Sequence, residues 1–174
     1  MKKPWQKLSL KNIIFLRNYY IILFCIGFII TAVLLSHSYN IKNYTIESLS
    51  VLGGIGTALL GNTIFYLRKL YKACIRAEIH VPSNEEGKIQ AIGVFSYYFF
   101  RPFFACAFAL FIIICVNSGI SNVVVNEPKF GNGFINLIMF LSFFGGFAAG
   151  DFLTLLELKS EDVLGTIIDK KEND

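Results

Sequence analysis

The sequence predicts an all-α, polytopic membrane protein with four transmembrane helices and a helical hairpin between the second and third. Three observations carry that class. No charged residue falls between Asn18 and Ile41, Ser48 and Leu67, Pro102 and Asn126, or Phe130 and Gly150. A helix crosses the hydrocarbon core of a bilayer with about 20 apolar residues at about 1.5 Å rise each, and every block reaches or approaches that length. Apolar residues make up 55% of the 174 and aromatic residues 16%, whereas a soluble domain of this size carries more charge.

The third observation is where the charge sits. Lys2, Lys3, Lys7, Lys11 and Arg17 precede or enter the first block; Arg68, Lys69, Lys72, Arg76 and Lys88 lie in the middle link; Lys159, Lys170 and Lys171 follow the last block. The other two links hold only Lys42 and Lys129. Cytoplasmic segments of membrane proteins carry the excess of Lys and Arg, so both termini and the middle link are expected in the cytoplasm, in a bacterial inner membrane. The first block is too long and starts too far along to read as the apolar region of a signal peptide, and it is expected to be a retained helix.

The elements follow in order. Residues 2–17 form a basic amphipathic lead-in with Trp5, Tyr19 and Tyr20 at interface depth, where aromatic rings settle. Span 1, about residues 19–37, is bulky. Span 2, about 48–67, carries Gly53, Thr57 and Gly61 at intervals of four, a spacing that lets another helix backbone approach closely. Span 3, about 102–119, offers Ala105 and Ala109. Span 4, about 134–156, repeats the small-residue device with Ser142, Gly146 and Gly150. Spans 2, 3 and 4 are therefore expected to form a tight core, with span 1 peripheral or facing a second copy.

Beyond span 2 the helical pattern continues. Lys69, Lys72, Arg76 and His80 share one face, and with Arg68 they form a basic surface for anionic lipid or a soluble partner. Val81-Pro82 is expected to stop this arm, and Ser83 with Glu86 three positions on matches a capping box that starts the next. The hairpin is expected over about 68–100, and residues 157–174 are expected to form a cytoplasmic tail resuming as a helix at Ser160.

Arg101-Pro102 interrupts the apolar run from Ile89 to Val116. Proline lacks an N–H and fits the first helical position, so the favoured expectation is that span 3 starts at Pro102; the alternative is one kinked helix with Arg101 inside the membrane. Intramembrane charges are expensive and usually pair, so Arg101 on span 3 and Asp151 on span 4 are expected to form an ion pair. Asn62, Asn117 and Asn136 are expected to bond between helices or to line a wet cavity. The four cysteines and two histidines show no metal-ligand spacing, and there is no phosphate loop, nucleophile elbow or carboxylate dyad. No enzyme, cofactor or metal is expected.

Three stretches carry a resemblance: Gly53-Gly-Ile-Gly-Thr57 running into Tyr66-Leu-Arg-Lys-Leu-Tyr71, Tyr98-Phe-Phe-Arg-Pro102, and Phe144-Gly-Gly-Phe-Ala-Ala-Gly-Asp151. Together, across spans 2 to 4, they resemble the small four-span membrane subunits of bacterial anti-phage defence systems, among them that of the Kiwa system, which works with a soluble DNA-binding partner. The resemblance implies an inner-membrane sensor or anchor that oligomerises and recruits a soluble cytoplasmic protein, without itself binding nucleic acid. It carries no residue roles. A pore formed by several copies is the alternative expectation.

Overall fold

The computed structural model describes residues 9–36, 45–75, 85–123 and 132–172. They form four helices in chain order: α1 (Leu10–Ser36), α2 (Ile46–Ile75), α3 (Glu85–Val123) and α4 (Asn132–Glu172). There is no strand among the described residues. All four helices are long and apolar enough to cross a bilayer, which makes the chain a multi-pass membrane protein by length and composition.

Successive helices run up and down. Ile13, Leu16 and Tyr20 of α1 pack with Tyr66, Leu70 and Ala73 of α2 and with Tyr98 of α3 at one end of the bundle. At the other end Ile113 and Val116 of α3 meet Phe134 and Ile138 of α4 and Ile46 and Val51 of α2. The first end holds Arg17, Lys69 and Lys72, and it is called the basic end below.

α2 is the hub. It packs against all three other helices, most extensively against α4, while α1 lies along α2 and meets α3 only slightly. In its membrane window 56% of α2 is buried, against 11% of α1. The physical reason is side-chain size. α2 presents Gly53, Gly54, Gly56, Thr57, Ala58 and Gly61 to its neighbours, all buried. α1 instead turns Ile14, Ile21, Ile22, Phe28 and Ile29 outward, where an apolar helix face is at no disadvantage in lipid.

The α2–α4 seam is backbone against backbone. A Cβ added at Gly61 would overlap the Phe143 carbonyl, and one added at Gly146 would overlap the Ala58 carbonyl. Above and below this crossing the gap widens enough for side chains: Met139 rests on Gly53, Ser142 on Gly54, and the Tyr66 ring on Gly150. The Thr57 hydroxyl at the seam is satisfied within its own helix, donating from Oγ1 to the Gly53 carbonyl at 2.9 Å.

Two expectations about helix limits need correction. α3 does not begin at Pro102; it is one helix from Glu85 to Val123 with Pro102 inside, and its apolar window runs from Ala91 to Gly119. α4 does not pause before Ser160 but continues to Glu172. The two arms of the expected hairpin are extensions of α2 to Ile75 and of α3 back to Glu85. Arg76, the Val81-Pro82 stop and Ser83 lie outside the described residues.

Candidate functional site

A proline inside a helix removes one hydrogen bond, the one from residue 102 to the carbonyl four residues earlier. That carbonyl is Tyr98's. It is not left bare: the Tyr20 hydroxyl of α1 donates to it at 2.5 Å. The next carbonyl, Phe99's, receives the Tyr19 hydroxyl at 3.3 Å. In a membrane helix such a freed carbonyl needs a replacement donor, and here a neighbouring helix supplies it. Tyr20 of α1 therefore closes the gap that Pro102 opens in α3, and Tyr19 adds a bond to the carbonyl beside it.

The aromatic rings fix the approach. The Tyr20 ring stacks on Tyr66 with centroids 5.7 Å apart, and Tyr66 meets Tyr98 edge-on at 5.7 Å. Tyr19 stacks on Phe99 at 4.9 Å. Such pairs add about 0.5–1.5 kcal/mol beyond burial, and here they orient the hydroxyls as well.

Arg101 stands beside this latch and is the largest fully buried side chain among the described residues, 1% exposed. The expected Arg101–Asp151 ion pair is not formed. Arg101 Nη1 donates instead to the Gly150 carbonyl at 3.0 Å. Asp151 points outward, its side chain 70% exposed, and pairs with Lys69 of α2 at 3.5 Å. The reason is local: Gly150 has no side chain to shield its carbonyl, so the guanidinium reaches main chain, while the next residue along α4 faces a different helix. The Arg101 charge is spread over aromatic faces, with Cζ 3.8 Å from the Tyr97 ring centroid and 5.9 Å from that of Tyr66.

Asn62 completes the node. It is fully buried, and Nδ2 lies 3.5 Å from the carbonyls of both Arg101 and Gly146, two long bonds that bridge α2 to α3 and to α4. Asn136 is exposed on α4 and Asn117 half-buried near the far end of α3, so within one chain the three asparagines do not converge.

Of the basic surface, Arg68 and Lys72 are exposed, and Lys69 is half-buried with Nζ 4.1 Å from the Phe65 ring centroid. Arg76, the fourth expected member, lies outside the described residues. No group of three possible metal ligands occurs among the described residues.

Sequence reading placed Tyr19 and Tyr20 in the interfacial aromatic belt and missed their role as caps. One signal was available, a proline within a long apolar run, which requires a donor from elsewhere. The sequence does not say which helix supplies it. No family model, no curated protein and no solved structure matches this chain, so its function is argued from geometry.

Proposed function

We propose that this chain is a non-enzymatic scaffold or sensor of a bacterial inner membrane, its basic end in the cytoplasm, holding a soluble effector protein there. The observation that carries it is the asymmetry between the two ends of the bundle. At the basic end α4 continues twenty residues past Phe152, the limit of its apolar window, a rod of about 30 Å. α3 likewise starts six residues before its window at Ala91. Exposed Arg68 and Lys72 flank this region. These projections offer a docking platform, and the distribution of Lys and Arg favours the cytoplasmic side for it.

The sensing part of the reading rests on α1. Its outer face meets lipid along its length, and at the basic end it is tied to α3 through Tyr19 and Tyr20 at the one position where α3 lacks a helical hydrogen bond. A disturbance of the bilayer that shifts α1 acts on that weak point. The glycines at the α2–α4 seam are consumed inside the chain, so assembly of several copies would use the exposed face of α1. The resemblance to membrane subunits of anti-phage systems supports a defensive setting.

The test is recovery of the tagged full chain from its native host in mild detergent. A soluble companion is expected, and it should be lost when residues 157–174 are removed. Recovery without any companion, or labelling of a cysteine at position 72 from outside intact cells, would overturn the reading.

A further inference from the structure

We infer that Arg101 is the headgroup receptor for one bound anionic phospholipid, with the lipid phosphate on the guanidinium and an acyl chain in the phenylalanine groove beside it. Arg101 is 1% exposed and spends only Nη1 on the Gly150 carbonyl; its Nε and Nη2 have no hydrogen-bond partner. Those two N–H groups lie along one edge of the planar guanidinium, spaced to meet two oxygens of a phosphate or carboxylate. An unmatched edge on a buried cation is costly at this depth. The carboxylate of Asp151 is turned away to Lys69. Lys69, Asp151 and Arg101 together leave one positive charge, which a single anionic headgroup neutralises.

The second observation is a groove of about 350 Å³ between α3 and α4, lined by Phe104, Ala107, Phe108, Phe111 and Phe152. Tyr97, Arg101, Phe104 and Phe108 follow one another at spacings of four, three and four, so they form a single stripe on α3. Helical side chains lean toward their own N-terminus, which on α3 is the basic end. The guanidinium is therefore raised toward the basic end, while the groove begins at Phe104, one turn further along α3, and extends to Phe111. Tyr97, 38% exposed, stands against the guanidinium with its ring centroid 3.8 Å from Cζ, and this side chain must move aside to admit the headgroup. Basic pockets between membrane helices bind lipid headgroups in this manner. The groove is what distinguishes a phospholipid from free phosphate as the source of the anion. This site does not depend on the scaffold reading, and its test involves no partner protein.

The test is native mass spectrometry of the full chain in detergent, with phosphatidylglycerol, phosphatidylcholine or inorganic phosphate added. The wild type should retain one phosphatidylglycerol in preference to phosphatidylcholine, and excess inorganic phosphate should not displace it. Arg101→Lys keeps the charge and loses the two-pronged edge, Arg101→Gln loses both, and Ala107→Trp fills the groove without touching the guanidinium. Each should lower retention by about tenfold. Circular dichroism and gel filtration identify any variant that fails to fold, and Ala107→Trp alone then decides. Equal retention by wild type and folded variants would overturn the proposal. So would equal retention of the two lipids, or displacement by inorganic phosphate, which would reassign the site to a free anion.

Discussion

α4 and α1 both pack along α2, yet they are held by opposite means. The α2–α4 seam has almost no side chains at its centre, and the two backbones touch at Ala58–Gly61 and Phe143–Gly146. α1 also crosses α2 at a glycine pair, where a Cβ on Gly27 would come within 2.8 Å of the Gly56 carbonyl. Beyond that crossing, however, a groove of about 680 Å³ opens between Ile29–Leu34 and Ser48–Ile55. At its other end α1 gains the polar and aromatic latch to α3. One helix pair is locked by close packing through its centre; the other closes at Gly27–Gly56, opens on one side of it, and is supplemented on the other by hydrogen bonds to a defect in a third helix. Dispersion contacts distributed along a seam fail only when the seam is forced apart, whereas a latch is weakened by the loss of a single hydroxyl.

Substitutions separate the two modes. The largest effect is expected from Gly146→Val or Gly61→Val, since the new side chain would overlap a facing carbonyl and neither backbone can yield. A loss of about 3 kcal/mol or more is expected, seen as failure to recover monodisperse protein. Tyr20→Phe removes the donor to the Tyr98 carbonyl and should cost about 1–2 kcal/mol in a steric-trap or denaturant titration in detergent, while the α2–α4 seam stays closed. Asn62→Ala removes two long bonds and should cost about 0.6 kcal/mol, the usual worth of a polar contact between membrane helices. Lys69→Ala breaks an ion pair between a half-buried lysine and an exposed carboxylate and should cost under about 1 kcal/mol, less still in high salt. If Tyr20→Phe proved as disruptive as Gly146→Val, the distinction between seam and latch would fail.

The four helices were legible because apolar length is a property of each segment alone. The glycine stripes were legible for a related reason: Gly53–Thr57–Gly61 and Ser142–Gly146–Gly150 mark where backbones can approach, and the parallel course of α2 and α4 sets them face to face. The node around Arg101 was not legible to the same degree. Pro102 was read as a helix start because, within one segment, a proline ends hydrogen bonding; the structure satisfies the freed carbonyl from α1, a partner remote in sequence. Arg101 and Asp151 were paired on charge alone. The actual acceptor is a main-chain carbonyl, exposed by the absence of a side chain at Gly150, and charge counting gives no weight to such a group. Local periodicity reveals which faces are small or apolar, but not which distant hydroxyl fills a backbone defect.

The central claim is that Tyr19 and Tyr20 tie α1 to α3 at the basic end. Its most direct test places spin labels at Val33 on α1 and Phe140 on α4, both exposed, in a chain whose four cysteines have been replaced, and measures their separation in lipid nanodiscs by pulsed electron resonance. In the otherwise unaltered chain the account predicts one narrow distance distribution. Tyr19→Phe with Tyr20→Phe should broaden it, while a control pair on α2 and α4 should not change. An unaltered Val33–Phe140 distribution in the double variant would contradict the latch.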